Sequence, residues 1–295
     1  MGFAYLGFPG ANHTRYEHSI GAMNAAHLLF EMFKAMPREL DRQVAIRALR
    51  IAVLLHDIGH PPFSHAIEEA FKKYPHLLEC GEGSHGRKLA DLLGRPAKYS
   101  HEEFSRFVIE TDNELKERIS YSGLDVDQIK DLAVGRAKHG GLAPLNALID
   151  GDFDADKIDY IIRDSYYCGL SHKIDLNEFR GKLVIEKTET DGEYKVFLLP
   201  AAVPAIDSLL LARYKLINEV HNNEKNRVAT QLFIEKIRIW LESLDNENRA
   251  EMILDMHTKL TDFDIVTLLG TYEKGPAIKN ILNGRSRPRV GGNSS

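Results

Sequence analysis

The apolar positions of this chain recur mostly at three- and four-residue intervals, the spacing that lines one face of an α-helix. Between Asp41 and Asp57 they are denser. Val44, Ala45, Ala48, Leu49, Ile51, Ala52, Leu54 and Leu55 cover so much of a helical surface that this helix is expected to be central. Gly59, Pro61 and Pro62 end it. Upstream, a short apolar run passes through Pro9 and Gly10 into a helix expected from near Thr14 to about Met36, with His18 in its early turns. Downstream, helices are predicted at about Phe63–Tyr74, from His101 onward, at Asp125–His139 and at Ala155–Cys168, the last two separated by a turn at Gly140 and Gly141. One or two more follow between Ala202 and Leu244, with shorter ones at about Arg249–Lys259 and Phe263–Tyr272.

Only one place has the residues of β-structure: Leu183–Glu186 and Tyr194–Leu199, joined by a polar turn containing Asp191 and Gly192, predict a hairpin. The expected fold class is therefore all-α with one small β-hairpin. The Gly-rich, charged stretch from Pro75 to Ser100 reads as an inserted loop or small helical excursion, its His85, Arg87 and Lys88 forming a lid or, the favoured reading, a solvated loop. A principal domain over residues 1–245, a helical C-terminal extension over 246–283 and a disordered tail over 284–295 complete the organisation, with no solenoid repeat.

Composition narrows the class without naming a function. The 295 residues are 43% hydrophobic and 27% charged, ordinary for a globular protein. A formal charge of −5 argues against a surface built for nucleic acid, so any phosphate site must be local. No apolar run reaches the roughly eighteen residues of a membrane span, and the N-terminus lacks signal-peptide character, which makes a cytoplasmic location the expectation. Cys80 and Cys168 form neither a disulfide framework nor a CxxC pair and are read as reduced.

The chemistry begins where Leu54 and Leu55 run directly into His56, Asp57, Gly59 and His60. An unpaired charge buried at the end of so apolar a helix is costly, and a divalent cation removes the cost. Imidazole and carboxylate together suit Mn, Fe, Ni, Zn or Mg. Adjacent helical residues diverge by about 100°, so His56 and Asp57 share one ion only if it sits between them and other helices complete the shell. His18 and Asp156 are suitable third and fourth ligands. A lone histidine beside an apolar face is more often a hydrogen-bonded core residue. The concentration of His13, Arg15, His18, His56, Asp57, His60, His65 and His101 in the first third of the chain exceeds what packing needs.

A second cluster lies in DGDFDADKIDYIIRDSYYCG. At helical spacing Asp156, Tyr160 and Asp164 share one face, with Lys157 at its edge and Ile158, Ile161 and Ile162 supplying apolar contacts. The bland alternative is a solvated charged face with Asp159 and Arg163 in surface ion pairs. Taken as a set, the face favours a site.

The segments HTRYEHSIG, LLHDIGHPPFSH, SHEEF and DADKIDYIIRDS stand in the order and character of the HD-domain phosphohydrolases. They resemble in particular the deoxynucleoside triphosphate triphosphohydrolase branch, which includes bacterial dGTPase-like enzymes and the vertebrate sterile-alpha-motif and HD-domain enzyme. The matching blocks cover about residues 5–225. The resemblance implies a helical HD domain that hydrolyses deoxynucleoside triphosphates to nucleoside and tripolyphosphate. It implies one divalent metal on His18, His56, Asp57 and Asp156. His60, His65 and His101 then match pocket histidines, with His65 as general acid, and Glu102 the acid after the last of them. Arg15, Lys157 and Arg213 match the cations that grip the phosphates, and Tyr160 and Asp164 the groups beside the sugar. A nucleotide substrate and a homo-oligomer are the partners it implies.

The chain departs from that pattern in three places, one of them the stretch Pro75 to Ser100, which is longer than its usual counterpart. The chain also begins almost at the FPG segment, before which the family places residues that test the sugar. Where the family has a Tyr and, two residues on, a His, this chain has His221 and Asn223, which opens a difference in base or sugar contacts. Two other readings stay open: an HD phosphohydrolase acting on a monophosphate, cyclic nucleotide or guanosine alarmone, and a non-catalytic nucleotide-sensing module.

Overall fold

A computed structural model describes residues 2–35, 37–38, 41–138, 141–171, 174–190, 192–273 and 277–283. It is mostly helical with a small sheet, as the periodicity predicts. In chain order the helices are α1 (Arg15–Met32), α2 (Arg42–Leu55), α3 (His65–Lys73), α4 (Ser84–Leu93), α5 (His101–Thr111), α6 (Asn113–Tyr121) and α7 (Val126–Ala133). They continue with α8 (Ala155–Tyr167), α9 (Val203–Leu216), α10 (Glu224–Glu242), α11 (Asn246–Thr258), α12 (Asp262–Glu273) and α13 (Ala277–Leu282). The strands are β1 (Phe33–Ala35), β2 (Leu183–Lys187) and β3 (Tyr194–Leu198).

The chain divides into two compact units that interleave along the sequence. One takes His13–His60 and His101–Leu216. Its core is α2 enclosed as expected: Ala45, Ala48, Leu49, Ala52 and Val53 are buried among Ala22, Ala25, Ala26 and Leu29 of α1 and Ile129 and Leu132 of α7. Asp41 starts α2 by accepting hydrogen bonds from the Gln43 and Val44 amides. Thr14 and Glu17 form a reciprocal capping box that starts α1 at Arg15 and so fixes which face His18 occupies.

The predicted hairpin is present, with Leu183 opposite Leu198 and Lys187 opposite Tyr194. A third strand corrects the sequence reading. α1 was expected to run to Met36 but ends at Met32, where the chain turns extended at Phe33, the Gly181 amide donates to the Met32 carbonyl, and Phe33–Ala35 pairs parallel with β2. Met36 itself lies outside the described residues. Asp125–His139 likewise ends early, at Ala133, because Gly135 takes a positive φ; His139, Gly140 and Asp191 are also outside the described residues.

The other unit takes Met1–Asn12, Pro61–Ser100 and the chain from Ile217 on. Phe3, Phe63 and Phe233 form its aromatic centre, with ring centroids 4.5–5.5 Å apart. The stretch 75–100 is the small helical excursion of the two expected alternatives, packed and not a solvated loop. Its α4 lies on α11, where Ser84 and His85 hydrogen-bond Glu247. α13 is a further element that the sequence did not reveal. The helices after residue 245 belong to this unit, packed with α4 and α10. The tail expected at 284–295 lies outside the described residues. Among the described residues no helix is long and apolar enough to cross a membrane.

Candidate metal centre

Small residues set the geometry. Ala22, Ala25 and Ala26 on α1 meet Ala45, Ala48 and Ala52 on α2, so the two backbones approach closely. His18, one turn before Ala22, and His56, one turn after Ala52, then arrive side by side with ring centroids 5.6 Å apart. α8 packs on α1 and brings Asp156, in its first turn, to the same point.

Ligand atoms of His18, His56 and Asp57 lie within 4.8 Å of one another. His18 Nε2 is 3.0 Å from Asp156 Oδ1 and 3.7 Å from Asp57 Oδ2. His56 Nε2 is 3.3 Å from Asp57 Oδ1 and 3.8 Å from Asp156 Oδ1. All four predicted ligands are thus together. The buried His56 Nε2 makes no hydrogen bond. Both imidazoles turn Nε2 to this point because Nδ1 is occupied elsewhere, in His56 by the Val53 carbonyl at 2.6 Å and in His18 by Asp159 at 2.9 Å. Two imidazoles and two carboxylates converging with an orphaned nitrogen fit a divalent transition metal.

The glycine of LLHDIGHPPFSH has a specific task. A Cβ on Gly59 would lie 2.1 Å from the Ser105 amide nitrogen and 2.6 Å from the His101 carbonyl. Only glycine lets the turn after α2 touch α5. Ser105 then locks it, accepting from the Gly59 amide at 3.0 Å and donating to the His56 carbonyl at 2.8 Å. The result stacks His60 on His101 with centroids 3.8 Å apart and puts Asp57, His60 and His101 within metal-ligating reach of one another. Asp57 is common to both groups.

The cluster is electrostatically tense. Burial works against the Asp57 charge, but His56, His60 and Arg15 hold its carboxyl well below the usual range. Burial also opposes the His18 charge, yet hydrogen bonds to Asp156 and Asp159, with the field of Asp57, hold it up to about 10. His56 is raised against its own burial by Asp57 and Asp156. His60 goes the other way, pushed by burial down to about 4 despite Asp57 beside it. A cation on His18 and His56 must displace their protons, so its affinity falls as pH falls.

The remaining candidates divide between the units. Arg15 Nη1 bonds Asp57 Oδ2 at 2.7 Å. Burial pushes the Tyr160 phenol up, and the Arg213 guanidinium beside it works against the shift. Lys157 is held by the buried Asp154 at 2.5 Å and by the Gly151 carbonyl at 2.8 Å. Asp164 meets His13 at 2.7 Å, and His13 lies against the Tyr167 ring. Glu102 pairs with Arg136 at 2.9 Å. His65 and His221 belong to the other unit. His65 has an 81% exposed side chain and bonds the buried Glu68 at 2.9 Å. It follows Phe63 and Ser64, both at positive φ, a strained entry of the kind that gathers at functional sites. His221 ends a π-turn, and its carbonyl accepts from Asn226.

The alternative reading of Asp159 and Arg163 as a surface ion pair fails. Asp159 is 8% exposed and bridges His18 to Arg163. Asp159, Ser105 and Glu68 are the residues the sequence reading missed. A mid-helix glycine in HTRYEHSIG, Gly21, was the available signal for the first of them.

An HD-domain family model matches residues 15–135, which contain the His-Asp pair and four further residues of the site: Arg15, His18, His60 and His101. The chain is an HD-domain protein. Among relatives of this HD protein, uncharacterized protein MJ1154 of Methanocaldococcus jannaschii is 33% identical over 256 residues, covering 85% of this chain and 45% of its own length. The deoxynucleoside triphosphate triphosphohydrolase SAMHD1 homolog of Dictyostelium discoideum is 29% identical over 225 residues, 74% of this chain and 38% of its own. Deoxynucleoside triphosphate triphosphohydrolase SAMHD1 of Bos taurus is 30% identical over 205 residues, 61% and 32% respectively. The chain spans about half the length, or less, of these curated relatives.

Proposed function

We propose that the chain hydrolyses deoxynucleoside triphosphates at the α-phosphate ester, releasing nucleoside and tripolyphosphate, at one divalent metal held by His18, His56, Asp57 and Asp156. The observation that carries the reading is Asp57, which meets two imidazoles through one oxygen and the Arg15 guanidinium through the other. A cation so close to the ligand set is placed for a phosphate oxygen next to the ion. When bound, the metal supplies Lewis acidity toward a phosphoryl oxygen and toward water. Arg15, Lys157 and Arg213 hold the phosphates, and Tyr160 and Asp164 the sugar, so binding energy remote from the reacting bond orients it. By the resemblance, the role of proton donor to the leaving 5′-oxygen falls to His65, whose Nδ1 meets Glu68. His60 is unsuited to that task at neutral pH, since its low pKa leaves it without the proton. His101 and Glu102 complete the pocket, and His221 stands where base or sugar contacts differ from relatives. The two relatives named as triphosphohydrolases support this substrate class. A cytoplasmic location and a homo-oligomer belong to the same reading.

Phosphorus NMR on the protein with Mn²⁺ removed after reaction tests the bond that breaks. Tripolyphosphate appearing first, without orthophosphate or pyrophosphate, is the expected result, and Arg213→Ala is expected to slow it more than hydrolysis of an aryl phosphate. Early orthophosphate means attack at the terminal phosphate and defeats the triphosphohydrolase reading while leaving the metal centre standing.

A further inference from the structure

The two histidines of the cluster are held in unequal ways. His56 Nδ1 meets a neutral backbone carbonyl, Val53 O. His18 Nδ1 meets a carboxylate, Asp159 Oδ2, which is itself gripped by Arg163 through two parallel bonds: Nε to Oδ2 at 2.8 Å and Nη2 to Oδ1 at 2.9 Å. The arrangement is buried and closely fitted. A Cβ on Gly21, one turn of α1 beyond His18, would fall 1.9 Å from Arg163 Nη2 and 2.0 Å from Asp159 Oδ1. Glycine interrupts a helix at a cost in helical propensity, and here it leaves the room that the Asp159–Arg163 pair fills. A surface ion pair would need no such room.

We infer that Asp159 is a positioning residue for the metal centre, orienting the His18 imidazole and raising its strength as a ligand, with Arg163 holding the carboxylate and Gly21 making space for the pair. The inference rests on the metal-centre reading above. A carboxylate accepting from Nδ1–H fixes the tautomer that presents Nε2 to the ion and enriches the ring in electron density. Arg163 clamps the carboxylate in one rotamer with a fork that a lysine does not reproduce. The His18 ligand therefore depends on a chain of contacts leading away from the cluster, and the His56 ligand does not.

The test is calorimetric titration of the metal-stripped full chain with Mn²⁺, beside circular dichroism of each variant and ¹⁵N shifts of His18 in the Zn²⁺-loaded protein. Asp159→Asn, which keeps the volume and removes the charge, is expected to weaken Mn²⁺ about 10- to 100-fold, the usual cost of an outer partner of a ligating histidine. The His18 Nδ1 shift is expected to move in the same variant while His56 stays. Arg163→Lys should weaken binding by less. Gly21→Ala favours the helix yet displaces the pair, so it should lose Mn²⁺ affinity with its helical signal intact, and it decides the question if Asp159→Asn does not fold. A folded Asp159→Asn or Gly21→Ala variant that binds Mn²⁺ within about twofold of the parent overturns the positioning role. A parent protein that takes up no Mn²⁺ or Zn²⁺ overturns the metal centre itself, a result distinguishable from the first.

Discussion

Histidine meets carboxylate at several places in this molecule, and two of them differ in kind. Where α4 lies on α11, the Ser84 hydroxyl, the His85 amide and the His85 ring all reach one oxygen of Glu247 at 2.6–3.0 Å, with both side chains more than a third exposed. Donors there converge on one acceptor, Oε1, while Oε2 of the same carboxylate is buried without a hydrogen bond. In the HD cluster, two carboxylates and two imidazoles converge, His18, His56 and Asp57 at 10–14% exposure and Asp156 at 36%, and one buried nitrogen, His56 Nε2, has no hydrogen bond. The 3.8 Å from it to Asp156 is too long for one, so their attraction is coulombic. The same residue types thus make a staple in one unit and a ligand set in the other. What separates them is the set of atoms that converge: hydroxyl, amide and imidazole donors meet a single carboxylate oxygen at Glu247, whereas imidazole nitrogens and carboxylate oxygens from α1, the end of α2 and α8 face one point in the HD cluster.

The largest effects should follow from removing a ligand. Asp57→Ala and His56→Ala are each expected to lose Mn²⁺ by more than about 100-fold, beyond the range of outer partners, while keeping most helical signal, because α1 and α2 are held by their alanine and leucine packing. Elemental analysis of purified variants checks this. Stoichiometric metal retained in both would make the cluster a polar network like the one at Glu247, and the contrast would collapse.

A step smaller is Gly59→Ala. The added carbon meets backbone of α5, which cannot swing aside as a side chain does. Overpacking of this kind costs about 1–3 kcal/mol, and the upper end applies here, equivalent to a fall in melting temperature of roughly 6–12 °C for a chain of this size. Because Gly59 also sets His60 against His101, Mn²⁺ affinity should fall with stability. Ser105→Ala, which leaves the Gly59 amide and the His56 carbonyl unpaired at about 1–3 kcal/mol each, should cost a comparable amount, and thermal melts with and without Mn²⁺ separate the two effects. Loss of stability with unchanged affinity would confine Gly59 to packing.

Much of this was legible in the chain. The density of apolar residues over Asp41–Asp57 identified the central helix, and the polar residues at its end marked the site, because a wholly apolar face rarely runs into a His-Asp pair without a use for it. Helix ends were less legible. Met32 gives way to β1 only because Gly181 and β2, some 150 residues away, supply hydrogen bonds that no local pattern reveals. The stretch Pro75–Ser100 left loop and helical excursion open because its polar residues, Ser84 and His85 among them, find their partner Glu247 far along the chain. Asp159 failed for the same reason. Its spacing from Asp156 is helical, but whether it faces water or α1 depends on the glycine at position 21.

The smallest predicted effect sharpens the comparison from the side of the staple. Hydrogen bonds from Ser84 and from the His85 backbone hold the Glu247 carboxyl down at about 2, from an ordinary value of 4.5. A depressed carboxylate contributes stability that is fully present above its unfolded value and is lost as pH falls through its folded value. The contribution of Glu247 should therefore be intact at neutral pH and disappear between about 4.5 and about 2. Glu247→Gln should lower the denaturation midpoint slightly at pH 7, and the gap between variant and parent should close on acidification through that window. Hydrogen exchange at the first amides of α4 should quicken in the variant at pH 7 and converge with the parent under acid, because Glu247 accepts there from the His85 amide. Metal affinity should not move, since Glu247 belongs to neither group of metal-capable residues. A gap that persists unchanged to acid pH would mean that the carboxylate acts through its shape and not its charge.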